Sequence, residues 1–213
     1  MEKRKGKVKD LKYKVIKSGS SGNAVIIEDM LFDCGVAYKN LEEYLYKINF
    51  LFITHRHSDH LKKSTIKRIM RKYPRIRIIA NYDVARFIDL DFMIGDETSI
   101  NLSDRKIQAF KCIHNVPCSG YVVEKDDTSF IYATDTSNLN YAPKMKYDYF
   151  FIESNHDEKK IKNLMGNRKK YGYDAWQGAM RHLSTQKSEL FYYLNRKNKD
   201  SKYIELHKSN RFY

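Results

Sequence analysis

The sequence has few cysteines, and no regular spacing relates them. Only Cys34, Cys112 and Cys118 occur in 213 residues, and no two of them form a Cys-x-x-Cys pair. An odd number without a regular framework argues against the disulfide-stapled domains typical of small secreted proteins. The missing Cys-x-x-Cys pair also argues against a structural zinc ribbon. We therefore expect three reduced thiols in the core.

Long apolar runs are absent as well. No stretch approaches the roughly 20 apolar residues of a membrane-spanning helix, and the lysine-rich segment 1–14 lacks the apolar core of a signal peptide. These observations predict a soluble, cytoplasmic protein with no membrane partner. At this length one packed core is usual. We therefore expect a single domain over residues 1–213, with residues 1–11 forming a flexible basic N-terminus.

Acidic residues are outnumbered by basic ones. Asp and Glu total 26 against 40 Lys and Arg, which gives a formal net charge of +14. Such an excess favours polyanionic partners, above all nucleic acid, because cations that neutralise phosphates release counterions. AT-rich genomes also encode many lysines, so the charge indicates a class of partner without establishing a function.

Strand and helix patterns alternate along the chain. Leu41, Tyr44, Leu45 and Ile48 have helical spacing, which predicts a helix near residues 37–48. Several short apolar runs predict strands between the helical segments. The alternation indicates an α/β protein but does not define the arrangement of its sheets.

The segment 49–60, NFLFITHRHSDH, concentrates potential metal ligands at the end of a predicted buried strand. The four ligand types that follow this strand are His55, His57, Asp59 and His60. His55 and His57 are two positions apart and so project to one side of an extended segment. Ser58 is placed to cap a helix that opens with Asp59 and His60. Imidazoles and a carboxylate suit zinc, and one ligand pair on each side of the turn indicates two ions.

Other potential ligands stand where further predicted strands end. His114 closes the strand region 98–114, Asp135 follows the strand 130–134, and His207 follows the strand 203–206. Ligands that come from several strand ends at one edge of a sheet form a site built on rigid elements. Asp135 is suited to bridge two ions, because a carboxylate has two oxygens and brings negative charge into a cationic pocket. His114 is expected to be the third ligand of the first ion.

The motif His-x-His-x-Asp-His after an apolar strand resembles the signature of the metallo-β-lactamase superfamily. Four further segments resemble its YycJ/WalJ-type exonuclease branch, which has an RNase Z-like site: SGSSGN at 18–23, ESNHD at 153–157, HLS at 182–184 and HKS at 207–209. The chain departs from that branch at Arg181, where glycine is usual, and at Asn210-Arg211, where the branch has paired asparagines. The resemblance implies a four-layer αββα sandwich of two mixed β-sheets flanked by helices.

The resemblance also implies roles for individual residues. It implies two divalent metal ions, zinc first and manganese as the alternative, held by His55, His57, Asp59, His60, His114, Asp135 and His207. Asp59 would also orient the nucleophile, and His182 would transfer a proton to the leaving oxygen. The reverse assignment, with His182 as a ligand and His207 as the proton donor, stays open.

Substrate contacts are expected from two kinds of segment. The serine-rich turn and the later motifs offer Ser20, Ser21, Asn155, His156 and Ser184 to an anion. The segment 166–173 interleaves basic residues with tyrosines and glycines, which suits a loop that grips a single strand by charge and stacking. Its basic residues are Arg168, Lys169 and Lys170.

The implied activity is hydrolysis of nucleic acid by a hydroxide that bridges the two metals. An exonuclease on DNA is favoured, and RNA stays open as a substrate. The alternative is a hydrolase of small phosphodiesters such as cyclic nucleotides, which a closed pocket without a basic groove would favour. A third hypothesis is a non-catalytic nucleic-acid-binding protein on the same scaffold. The sequence leaves the polarity of digestion, the native metal and the oligomeric state open, a dimer included.

Overall fold

Two six-stranded β-sheets form the centre of the computed structural model, which describes residues 10–163 and 174–213. The first sheet contains strands β1 to β6 in chain order: Tyr13–Lys17, Ala24–Ile27, Met30–Phe32, Phe50–Ile53, Arg77–Ala80 and Phe92–Met93. Strands β1 to β3 are antiparallel, and β3 to β6 are parallel. The first sheet is therefore mixed.

The second sheet is also mixed. It contains β7 to β12: Ser99–Asn101, Arg105–Cys112, Cys118–Lys125, Thr128–Ala133, Tyr149–Glu153 and Lys202–Leu206. Strands β7 to β10 are antiparallel, whereas β10, β11 and β12 run parallel to one another. The α-helices of the described chain are α1 to α5: Lys63–Lys72, Tyr82–Ala85, Glu158–Lys162, Ala175–Ala179 and Thr185–Asn195.

The two sheets pack face to face through a largely aromatic layer. Phe32 stacks on Phe52 within the first sheet and on Tyr132 of the second sheet, with ring centroids 4.6 Å apart in both pairs. Ile66 and Ile69 of α1 cover the outer face of the first sheet. Residues of α5, with Leu183 before it, cover the outer face of the second sheet. This arrangement confirms the expected αββα sandwich.

The segment 37–48 differs from the predicted α-helix. It contains two 3-10 turns, Tyr38–Asn40 and Leu45–Lys47. Leu41 and Ile48 are nevertheless buried, so the apolar spacing identified the correct inward face. A 3-10 turn rises roughly 2.0 Å per residue against about 1.5 Å in an α-helix. The larger rise per residue lets a short segment cover the crossover between the parallel strands β3 and β4.

The predicted helix start at Asp59 is also wrong, because α1 begins only at Lys63 and is preceded by Lys62, not by a serine cap. The backbone before it pairs with Cys34, whose N–H donates to His60 O at 2.8 Å and whose O accepts from Lys62 N at 2.9 Å. An α-helix from Asp59 onward would use these same groups internally. Pairing across the chain therefore replaces the first helical turn and presents the ligands from a tight loop.

The described part of the chain contains no helix both long and apolar enough to cross a bilayer. Cys34, Cys112 and Cys118 are buried and free. Most of the N-terminus that was expected to be flexible, residues 1–9, lies outside the described residues. Leu11 is tied to the second sheet, since its N–H donates to the Tyr149 hydroxyl at 2.9 Å.

Candidate metal centre

The predicted ligands meet at one edge of the sandwich because the strands that precede them end there. β4 leads to His55 in the first sheet, while β10 and β12 lead to Asp135 and His207 in the second. Asp135 and His207 both have a φ of 53°, in the left-handed region that residues other than glycine rarely adopt. Such backbone conformations are held only where surrounding contacts enforce them, and they concentrate at functional sites.

Three imidazoles form the first group of potential ligands. His55 Nε2 lies 3.0 Å from His57 Nδ1, and His114 Nε2 lies 3.3 Å from the same His57 atom. The ligand atoms of the group all lie within 4.8 Å of one another. We refer to His55, His57 and His114 as the first triad. Its members come from the loop after β4 and the loop after β8.

A second group adjoins the first and contains Asp59, His60 and His207, which we call the second triad. His60 Nε2 lies 3.6 Å from Asp59 Oδ2. Asp135 lies between the two triads, with its Oδ2 2.7 Å from His60 Nε2 and 3.5 Å from His207 Nε2. Asp135 also groups with His55 of the first triad. The structure thus brings together all seven side chains that were predicted as ligands.

Three buried atoms of this centre have no hydrogen-bond partner within the described residues, and one of them is His114 Nδ1. The other two are Asp135 Oδ2 and His207 Nε2. Buried polar atoms without a partner cost free energy and are uncommon in folded proteins. Here the Asp135 and His207 atoms converge with other ring nitrogens and a carboxylate, a donor set that suits zinc and related divalent ions. The residues present therefore fit a two-ion site.

Burial and nearby charges shift the pKa values of the histidines of the centre in different directions. Burial holds the pKa of His55 well below its usual value and lowers the pKa of His114 to about 4, so both rings are neutral and ready to bind a cation. Burial also opposes protonation of His60, but the carboxylates of Asp33 and Asp135 raise its pKa well above the usual value. In the second triad, cation binding therefore replaces protons.

Glu153 organises the side of the centre that faces the second sheet. Its Oε1 accepts from His182 Nδ1 at 2.7 Å and lies 3.1 Å from His207 Nδ1. Burial opposes the protonated form of His182, but Glu153 and Asp135 raise its pKa to about 9. His182 could also form a ligand group with Asp135, Glu153 and His207. Because Glu153 engages the His182 Nδ1, however, only Nε2 is left for a substrate.

Comparison with known proteins agrees with this geometry. A family model described as "Beta-lactamase superfamily domain" matches residues 29–149. The chain belongs to the beta-lactamase superfamily. A relative, Exodeoxyribonuclease WalJ of Streptococcus pneumoniae, is 29% identical over an aligned length of 201 residues, and the match covers 81% of this chain and 70% of the relative. The resemblance expected from the sequence, and with it an enzyme of the hydrolase class, is confirmed.

Solved structures with low sequence identity share the superfamily fold. YhfI from Bacillus subtilis has a TM-score of 0.70 at 15% identity, covering 94% of this chain and 86% of its own. The short form of human tRNase Z also has a TM-score of 0.70, at 17% identity, covering 93% of both chains. At these identities the likeness establishes the fold alone.

The predicted substrate residues separate into three sets in this superfamily member. Ser20 and Ser21 are exposed and, with Asn155, line a pocket that also contains His182 and His207. His156 and Ser184 are each 1% exposed, so the structure does not bring them to the surface of the site. The Ser184 hydroxyl instead caps α5 and donates to Glu158. The third set, Arg168, Lys169 and Lys170, lies outside the described residues.

Sequence reasoning missed Asp33, which supports the ligands from beneath. Asp33 Oδ2 lies 2.8 Å from His60 Nδ1, and its Oδ1 accepts from the Thr54 N–H and hydroxyl at 2.9 Å. The Thr54 hydroxyl in turn lies 3.0 Å from His55 Nδ1. Contacts of this kind orient ligand imidazoles in metal sites. Asp33 directly follows β3, so the pattern of a strand followed by an acid could have revealed it.

Gly35 was also missed, and it allows the ligand loop to approach. A Cβ at this position would lie 1.6 Å from Asp59 O and 2.8 Å from His60 N, both of which are backbone atoms. We expect Gly35→Ala to displace the Asp59–His60 turn and to lower metal affinity and activity by about 10- to 100-fold, as does loss of a contact that orients a ligand. Metal titration and hydrolysis rates of the purified variant check this.

Gly95→Ala is the matched control for that variant. A Cβ at Gly95 would meet only the Thr98 side chain, at 3.8 Å, which is an ordinary contact. It should therefore retain the metal affinity and activity of the unmodified protein. Unchanged metal affinity in a folded Gly35→Ala protein would mean that the close approach at Gly35 does not hold the second triad.

Proposed function

We propose that this chain is a metal-dependent nuclease, and specifically an exonuclease that acts on DNA. The observation that carries the proposal is the pair of triads joined by Asp135, with His182 held beside them by Glu153. Such a constellation suits phosphodiester hydrolysis, in which charge develops on phosphate oxygens and on a leaving oxygen. The relative named as an exodeoxyribonuclease favours DNA.

The proposed ligands are the two triads and Asp135, with zinc as the first choice of metal and manganese as the second. When bound, two divalent ions would supply Lewis acidity toward phosphate oxygens and make water acidic enough to act as a nucleophile near neutral pH. Side chains of the protein perform the other parts of the mechanism. The seven ligands fix where the two ions would lie, because each ligand stands at the end of a strand or in a tight loop.

His182 is proposed as the general acid. Its Nδ1 is held by Glu153, so Nε2 is left to donate a proton to the oxygen of the departing strand. Burial opposes protonation of His182, but the Glu153 carboxylate raises its pKa, which favours the protonated ring. Asp59 has a side chain that is 26% exposed, and its second oxygen could accept a hydrogen bond from the attacking water. Asp59 is therefore proposed to orient the nucleophile.

The proposal extends to the organisation of the chain. Ligands come from both sheets, which supports one catalytic domain over residues 1–213. A net charge of +14 supports a polyanionic substrate such as nucleic acid. The three free, buried thiols support a reducing compartment, and we propose the cytoplasm.

The direct test uses end-labelled single- and double-stranded DNA and RNA together with cyclic nucleotides. The metal-loaded protein should release mononucleotides from one end of DNA, and His57→Ala, which removes a ligand of the first triad, should not. The label that disappears first gives the polarity. Polymers that stay intact while cyclic nucleotides are hydrolysed would replace the nuclease with a small-phosphodiester hydrolase.

Removal of metal should both inactivate and destabilise the protein. A ligand that binds only the native state raises the free energy of unfolding, and metal binding is coupled to folding in the same way. We expect a chelator to reduce hydrolysis to background and to lower Tm, and Zn²⁺ or Mn²⁺ to restore both. Thermal unfolding followed by circular dichroism, with parallel rate measurements, tests this. A rate and Tm that a chelator leaves unchanged would contradict a metal-dependent enzyme.

A further inference from the structure

A pocket opens beside the second triad, on the side where His182 and His207 lie. Its volume is about 410 Å³, in the lower part of the range for pockets that enclose a small ligand. Its walls are the loop 18–21, helix α4 and the C-terminal turn 207–212. No aspartate or glutamate is among the described residues that line it, whereas serines, asparagines and basic side chains are. The pocket is therefore suited to an anion.

The loop 18–21 is fixed relative to the metal centre. The Ser18 hydroxyl accepts from the His207 N–H at 2.7 Å, so the loop is joined to a proposed ligand. Gly19 N–H donates to Asn23 Oδ1 at 2.8 Å, and Gly22 N–H donates to Gly19 O at 2.9 Å. The φ angles of the two glycines, 133° and 138°, are tolerated because glycine has no Cβ. Ser20 and Ser21 in this turn are exposed and line the pocket.

The C-terminal turn forms another wall of the pocket and is also fixed. Asn155 Nδ2 donates to His207 O, and Asn155 O accepts from Ser209 N, both at 2.8 Å. The Ser209 hydroxyl then accepts from the N–H groups of Arg211 and Phe212. The pocket is thus built from residues that are bonded to one another and to the second triad.

The two cations of this turn differ in their availability. Lys208 Nζ is engaged by Glu205 Oε2 and by the Tyr213 hydroxyl, each at 2.8 Å. Arg211 is exposed, and within residues 10–163 and 174–213 it has no carboxylate partner. A guanidinium can bind phosphate oxygens through two parallel hydrogen bonds. Arg211 is therefore the cation in this pocket that is free to bind an anion.

We propose that this pocket binds the terminal phosphate of a nucleic-acid strand through Ser20, Ser21 and Arg211, an inference that rests on the nuclease function proposed above. A terminal phosphate carries about −1.5 to −2 charges at neutral pH, whereas a phosphodiester within the chain carries one. An acid-free pocket with a guanidinium and two hydroxyls favours the more highly charged group. Phosphate held there, next to His182, would place the first phosphodiester at the metal centre.

The test compares oligonucleotides of one sequence that carry a 5′-phosphate, a 3′-phosphate or hydroxyls at both ends. Bis(p-nitrophenyl) phosphate, which has no terminal phosphate, reports on the metal centre alone. A phosphate at one of the two ends should raise kcat/KM about 10- to 100-fold, as expected for hydrogen bonds to a charged group. Arg211→Gln and Ser21→Ala should each reduce this ratio toward one. Lys199→Gln, an exposed cation that does not line the pocket, should leave the ratio unchanged.

Each result supports or overturns the inference. The end that carries the effective phosphate identifies the strand end bound in the pocket. Equal kcat/KM for phosphorylated and hydroxyl ends, in a protein that hydrolyses bis(p-nitrophenyl) phosphate and DNA, overturns the inference and leaves the nuclease intact. A preference that persists in Arg211→Gln and Ser21→Ala also overturns it. A metal-loaded protein inactive on every phosphodiester refutes the nuclease function, and the inference with it.

Discussion

Asp135→Asn should reduce hydrolysis by about 10³-fold or more, because metal ions supply several kcal/mol of transition-state stabilisation. Asp135 Oδ2 lies 2.7 Å from His60 and 3.5 Å from His207, and the same carboxylate groups with His55. A neutral amide keeps the shape of this side chain but removes the charge shared between the two triads. Metal content should therefore fall below two ions per chain, as measured by elemental analysis.

Asp148→Asn is the matched control for this prediction. Asp148 is buried like Asp135, but it accepts from Ser129 N–H and pairs with Lys197 away from the triads. Its amide variant can lose some stability, yet it should bind two ions and remain active. An Asp135→Asn protein with two ions and the rate of the unmodified protein would show that this carboxylate does not join the two positions.

His182→Ala should lower kcat on DNA by about 10²- to 10⁴-fold, the usual contribution of a general acid, while metal content stays unchanged. The leaving oxygen of a nucleotide is a poor leaving group unless it is protonated. The p-nitrophenolate of bis(p-nitrophenyl) phosphate leaves without a proton, so its hydrolysis should suffer far less. The comparison of the two substrates isolates proton donation from every other role of the ring.

The same variant decides between the two histidine assignments. Glu153 Oε1 lies beside Nδ1 of both rings, but only His207 places a buried Nε2 within 3.5 Å of Asp135 Oδ2, and that atom has no hydrogen-bond partner among the described residues. This geometry favours His207 as the ligand. Loss of metal from His182→Ala, with equal loss of activity on both substrates, would reverse the assignment.

The ligands could be predicted from the sequence because of where their strands end. Parallel strands bring their carboxyl ends to one edge, so an apolar run followed by His or Asp is informative without any distance. This reasoning located the segment around His55 and separately located Asp135 and His207. The same reasoning applied to β3 would have added Asp33. This residue contacts the His60 imidazole and is not one of the seven predicted ligands.

Other features depend on contacts that one segment does not encode. Gly35 matters only because Asp59 packs against it from a distant turn. The late start of α1 results from pairing between Cys34 and the ligand loop, which overrides the local cap signal of Ser58. His156 stands beside Asn155 in the sequence, but its ring is buried while Asn155 lines the pocket. Motif membership therefore did not determine which side chains face a substrate.

The most direct test of a two-ion catalytic centre is a titration of metal-free protein with Zn²⁺ while hydrolysis of bis(p-nitrophenyl) phosphate is followed. We expect little activity up to one ion per chain, a rise to a maximum as the second ion binds, and no response in His57→Ala. Full activity in the metal-free protein, or a maximum already reached with one ion, would contradict catalysis by two triads joined through Asp135.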